Sequence, residues 1–123
     1  MAPTTGAYDR FMAYDEDLAD QIRWLIGHDP ALTERKMFGG LAFLIRGHMA
    51  IAASREGGVL VRVDPARADE LAAATGATAA VMGGRLMTGW LRVSPADLVS
   101  DDQLEGWVKL GTEYARSLPP KKR

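Results

Sequence analysis

Apolar and polar positions along the chain switch between a helical period and a strand period. From Asp15 to Ile26 the apolar residues are Leu18, Ala19, Ile22, Leu25 and Ile26, the spacing of a helix buried on one side. Asp15 is placed to cap it, Glu16 and Asp17 suit its positive end, and Gly27 stops it. Trp24 falls off the stripe. Beyond Pro30, Met37–Ile45 is a nearly continuous apolar run broken by Gly39-Gly40, which predicts one long strand with a bulge at the glycines. Arg46-Gly47-His48 is a turn, Met49–Ala53 the returning strand, and Val59–Val63 a third strand with valines at alternate positions.

Asp64-Pro65 then opens a second helix that runs to about Ala74 and stops near Gly76. Thr78–Met82 and Leu86–Val93 flank Gly83-Gly84 as a hairpin. Ser100 with Gln103 three residues on is a capping box for a last helix reaching Ser117. Its apolar stripe includes Leu104, Trp107, Val108, Gly111 and Ala115. Gly111 on that stripe costs ~1 kcal/mol of helix propensity against Ala, so a close approach to the sheet is expected there. The order α-β-β-β-α-β-β-α predicts a two-layer α+β fold, an antiparallel five-stranded sheet with helices on one face.

At 123 residues the chain is one domain in size, with a flexible leader expected over 1–13, the domain over 14–118 and a basic tail over 119–123. Cysteine is absent and only His28 and His48 are present, so no disulfide framework, metal site or cofactor is expected. The serines fall at turns and caps, and neither Gly-Gly pair opens a helix as a phosphate loop does, so no catalytic residue is named and a non-enzyme is expected. No apolar run approaches the ~20 residues of a membrane helix, and no signal peptide is visible, so a cytoplasmic protein is expected.

The net charge of -1 hides a separation of charge. Between Arg35 and Arg92 there are eight basic residues and four acidic ones, whereas the first helix carries Asp15, Glu16, Asp17 and Asp20 against Arg23. Alternation turns Val59, Val61 and Val63 toward the helices and leaves Leu60 and Arg62 on the other face. In the last strand it turns Leu91 and Val93 inward and leaves Thr88, Trp90 and Arg92 outward. Trp and Arg are enriched at binding hot spots. The candidate surface for a partner or an anion is therefore Lys36, Leu60, Arg62, Arg85, Trp90 and Arg92. Trp24, Leu60 and Trp90 are candidate contacts of a homodimer, and Gly39, Gly40, Gly84 and Gly111 are read as structural glycines. A protein partner is the favoured ligand. The alternatives are a small enzyme or ligand-binding domain with an Arg/Lys-lined anion site, and DNA binding through the basic sheet segment. Direct nucleic-acid binding is disfavoured by the net charge and by the lack of a basic recognition helix.

The motifs Lys36-Met37-Phe38-Gly39-Gly40-Leu41-Ala42-Phe43, Gly47-His48-Met49, Leu60-Val61-Arg62-Val63 and Gly84-Arg85-Leu86-Met87-Thr88-Gly89-Trp90 follow one another in a familiar order, closed by Trp107-Val108 and Ser117-Leu118-Pro119-Pro120-Lys121. Over about residues 14–121 the sequence resembles the N-terminal domain of the TfoX/Sxy family of bacterial competence regulators. The resemblance implies a secretion-chaperone-like fold and a non-catalytic regulatory or protein-interaction role. Larger members carry a second, C-terminal domain and are implicated in activating transcription with a cyclic-AMP receptor protein. The short form met here is expected to lack that domain, and the resemblance brings no catalytic residues with it.

Overall fold

The computed structural model describes residues 14–37 and 39–120. They form three α-helices and six strands: α1 (Glu16–Ile26), β1 (Leu32–Met37), β2 (Gly40–Ile45), β3 (His48–Ala53), β4 (Val59–Arg62), α2 (Ala68–Thr75), β5 (Thr78–Met82), β6 (Arg85–Val93) and α3 (Asp101–Ser117). The expected leader 1–13 and the last three residues of the expected tail lie outside the described residues.

The predicted caps close these helices. The Asp15 carboxylate accepts from the Leu18 N–H, and Ser100 and Gln103 exchange both bonds of the capping box. Asp64 accepts from the Ala66 N–H and starts a 3₁₀ turn, Pro65–Arg67, that leads into α2.

All strand pairs are antiparallel, in the order β1-β2-β3-β4-β6-β5. The sheet therefore has six strands, one more than expected. The run Met37–Ile45 is two strands and not one with a bulge. Met37 pairs with Gly40, so the chain reverses between β1 and β2 at Gly39. Gly39 has φ +77, and a Cβ on Gly40 would lie 2.2 Å from the Ala53 carbonyl oxygen. Both glycines are structural, for a turn and a close approach. β1 escapes the apolar pattern because Thr33, Glu34, Arg35 and Lys36 of this edge strand are all exposed.

Two bulges change which side chains share a face. One lies opposite Phe43/Leu44, where the extra residue Ala50 joins Ile51 on the helical side of β3. The other lies in β6: Ala79 pairs with Leu91 but Ala80 with Met87. Thr88, Gly89 and Trp90 are thus unmatched in β5, and Gly89 takes φ +86.

The main core lies between the sheet and the helices. Phe43, Ile45, Ile51, Val59, Val61 and Leu91 are buried against Ile22 of α1 and Leu104, Trp107 and Val108 of α3. Gly111 lets α3 descend onto β3, for a Cβ there would sit 2.3 Å from the Ala50 carbonyl oxygen.

Candidate functional site

Among the described residues no helix lies over the opposite face of the sheet, yet that face holds a second core. Ala42, Leu44, Met49, Ala52, Leu60 and Ala80 are buried there. Met37, Met82, Met87 and Trp90 pack against them, half-buried. Met37 belongs to β1 and Met82 to β5, the two opposite edges of the sheet. In a flat sheet those edges would be about 24 Å apart, five strand spacings. Both side chains instead border the same two cavities, so the sheet curls into a trough with methionines leaning over its floor.

The larger cavity has a volume of about 810 Å³. Thr33, Arg35 and Met37 form its wall on β1, and Arg62, Trp90, Met87 and Met82 form the wall across the trough. Leu44 and Met49 line its floor, with Arg46 and Gly47 at the end made by the β2–β3 turn and Pro120 beyond α3. The smaller cavity, about 390 Å³, shares Met37, Met49 and Met82 with it and continues toward Leu60, Arg55 and Arg92.

Charge divides the two cavities. Arg35, Arg46 and Arg62 border the larger one, and among the described residues no acidic one lines it. Among the described residues these three arginines make no salt bridge. The Arg62 guanidinium is held between two rings, 5.3 Å from the centre of Trp90 and 5.7 Å from that of Tyr114. In the smaller cavity Arg92 is already engaged: it donates to the Ser54 hydroxyl at 3.0 Å and faces the Glu56 carboxylate at 3.1 Å.

The backbone at Arg46 is unusual. With φ +55 it is the one non-glycine residue of positive φ among those described, and Gly47 follows at φ +87. Ile45 pairs with His48, so these two residues are the whole turn, and a two-residue hairpin turn of this kind requires positive φ at both positions. Asn or Gly is the ordinary choice there. The chain instead places a long cation in the left-handed region at the mouth of the trough.

A family model, the TfoX N-terminal domain, matches residues 25–115. The chain belongs to that family. The matched span of the TfoX N-terminal domain takes in all six strands and both walls of the trough. Comparison of the chain with curated proteins and with solved structures returned no match.

Within this TfoX N-terminal domain, the residues singled out from sequence separate into groups. Leu60, Arg62, Trp90 and Arg92 do share the trough face, with Leu60 buried in the floor. Lys36 does not join them, because it pairs with Leu41 and stands on the helical side of edge strand β1. Arg85 is exposed beside the β5–β6 turn and lines neither cavity. Trp24 is 81% exposed on α1, in the helical layer, and so forms no single surface with Leu60 and Trp90. Thr88, expected beside Trp90 by alternation, lines neither cavity, because the β6 bulge brings Met87 to the trough face.

Met37, Leu44, Met49, Met82 and Met87 were not among the sequence candidates for a site. The available signal was the apolar character of both faces of Leu41–Ile45, together with Gly89 as a bulge marker in β6. Among the described residues no group of His, Asp or Glu is placed to hold a metal ion. No helix among the described residues is long and apolar enough to cross a membrane.

Proposed function

We propose that this domain is a cytoplasmic protein-interaction module, regulatory as its family membership suggests, and that its docking surface is the trough on the face of the sheet opposite the described helices. One observation carries the reading: a buried apolar floor, covered by no other described element, is rimmed by arginines that make no salt bridge among the described residues. Surfaces of this kind supply apolar burial at the centre and directional charge at the margin. An enzyme that grips an anion with Lys36, Arg62, Arg85 and Arg92 has less support, since these residues do not meet in one pocket. DNA binding has less support as well, since the cations surround a concave methionine-lined floor and no basic helix among the described residues accompanies them.

The test is a photo-reactive amino acid placed at Trp90 in one variant and at Trp24 in another, both expressed in the native host. The Trp90 position is expected to capture a protein that the Trp24 position does not. Once identified and purified, that protein is expected to bind the wild-type domain and to lose binding to Arg62→Glu. Equal capture from both positions, or a captured protein indifferent to Arg62→Glu, overturns the reading.

A further inference from the structure

Resting on that reading, we propose that the occupant of the trough is an amphipathic α-helix of a partner protein, apolar on the side that meets the methionines and acidic along both flanks. Three observations select this class. The first concerns the backbone. The trough lies over the face of the sheet, where strand N–H and C=O groups are already spent on neighbouring strands. An extended peptide laid there would press its own unpaired N–H and C=O groups against methionines, whereas a helix satisfies its backbone internally.

The second concerns size. One turn of helix, about 5.4 Å long and about 10–12 Å across with its side chains, fills roughly 420–610 Å³, so a cavity of about 810 Å³ accepts up to about two turns. That is the reach of apolar anchors at positions i, i+3, i+4 and i+7. The floor suits such anchors: methionine is unbranched and polarizable and refits to different shapes, and Met37, Met49, Met82 and Met87 all face the trough.

The third is charge complementarity. Arg35 stands on one wall, Arg62 on the other and Arg46 at the end, with no carboxylate of the described residues among them. Guanidinium groups so placed can fork onto the carboxylates of Glu or Asp along both sides of a bound helix. Arg62 is pre-positioned for this by Trp90 and Tyr114. The smaller cavity, where Glu56 already neutralises Arg92, does not ask for an acidic ligand, so the acidic part of the partner belongs over the larger cavity.

The test uses fluorescence anisotropy with designed peptides of about 18 residues, long enough to form helix. One has leucines on a single helical stripe flanked by glutamates, a second has lysines in place of the glutamates, and a third is the acidic peptide with two central prolines. The acidic helix is expected to bind with a Kd of about micromolar order, at least tenfold tighter than the lysine peptide. The proline peptide is expected to lose binding. Arg62→Glu and Arg35→Glu, both at the rim and clear of the main core, are expected to weaken the acidic peptide by tenfold or more and to strengthen the lysine peptide. Equal binding of acidic and lysine peptides overturns the proposal, as does equal binding of the proline peptide, which would mean an extended ligand. Light scattering that finds a self-assembly dissolved by Arg62→Glu also overturns it, since the occupant would then be a second copy. If the Trp90 photo-probe captures a protein while the acidic peptide fails, the helix proposal falls and the interaction reading stands. If both fail, the interaction reading falls as well.

Discussion

His48 Nε2 lies 2.6 Å from the carbonyl oxygen of Pro119, a contact that ties the start of β3 to the segment leaving α3. The carbonyl can only accept, so Nε2 carries a hydrogen. Nδ1 is buried and has no partner among the described residues. The bond fixes Pro119 next to Pro120, which lines the larger cavity, so one end of the trough depends on it.

His48→Phe is therefore expected to lower unfolding stability by about 1 kcal/mol, the usual net worth of one hydrogen bond. His48→Gln, whose amide N–H₂ can reach the same carbonyl, is expected to recover part of the loss. Urea denaturation of the three proteins checks this, and a His48→Phe midpoint equal to wild type refutes it.

Gly111 and Gly106 both lie in α3 and should respond oppositely to alanine. A Cβ at Gly111 would meet the Ala50 carbonyl oxygen at 2.3 Å, a backbone atom anchored in β3. Overpacking of this kind costs about 1–3 kcal/mol, more than the ~1 kcal/mol that alanine adds in helix propensity. At Gly106 nothing lies within 4 Å of the added Cβ, so the propensity gain stands alone. Thermal melts are expected to show Gly111→Ala below wild type and Gly106→Ala above it.

That contrast marks where the sequence was legible. A glycine on the buried stripe of a long helix is a local signal, and Gly111 was readable as a close approach from spacing alone. The caps of α1 and α3, the valine alternation of β4 and the β5–β6 hairpin are local in the same sense, and the structure contains each of them. β1 was not legible, since the exposed residues Thr33 to Lys36 carry no apolar period and their pairing with β2 depends on a neighbour across the sheet. The trough was legible only in part. Alternation placed Leu60, Arg62, Trp90 and Arg92 on one face, but the curl that brings Met37 and Met82 to the same cavities is a property of the whole sheet. Met87 was hidden by the β6 bulge, whose register no period of two can express.

The turn between β1 and β2 gives a third prediction. A Cβ at Gly40 would lie 2.2 Å from the Ala53 carbonyl oxygen, so Gly40→Ala forces β2 and β3 apart and should cost about 1–3 kcal/mol. At Gly39 the nearest obstacle is the flexible Arg55 side chain and the difficulty is φ +77. Asn tolerates that region and Val does not, so Gly39→Asn should cost less than about 1 kcal/mol and Gly39→Val about 1–3 kcal/mol. Chemical denaturation of the three variants ranks them, and equal losses for Gly39→Asn and Gly39→Val would remove the backbone explanation.

Asp29 supplies a pH dependence. Its carboxylate accepts a hydrogen bond from Arg116 of α3 at 2.7 Å and another from the Ala31 N–H at 2.8 Å. The Arg116 bond first, then the Ala31 bond, hold its pKa below the ordinary value of 3.8, with Arg46 adding a smaller electrostatic share. A carboxyl group whose pKa is lower in the folded state releases its proton more readily there. Its contribution to stability is thus complete above the unfolded pKa and disappears as pH falls through the folded one. The stability difference between wild type and Asp29→Asn is expected to be constant from about pH 7 to about pH 5 and to shrink below 3.8. A difference that stays level through acid would mean that the Asp29 charge contributes nothing.

Arg46 offers the sharpest separation of stability from binding. Its left-handed backbone, φ +55, costs an ordinary L-residue roughly 1–2 kcal/mol, while Asn is at home in a turn of this type. Arg46→Asn should therefore raise unfolding stability by about 0.5–1 kcal/mol, the upper limit lying below the full strain because Asn retains a Cβ. The same change removes a cation from the mouth of the trough and should weaken an acidic helical peptide by threefold or more. A purely structural turn residue would not behave so: stability and binding would move together or binding would not move at all. Arg46→Lys adds the decisive comparison, since it keeps the charge and the strain. It is expected to leave stability near wild type and to retain most of the peptide affinity. Denaturation and anisotropy on the same three proteins read both quantities. If Arg46→Asn is less stable than wild type, the strain argument is wrong. If it is more stable but binds the acidic peptide as well as wild type, Arg46 has no part in the trough.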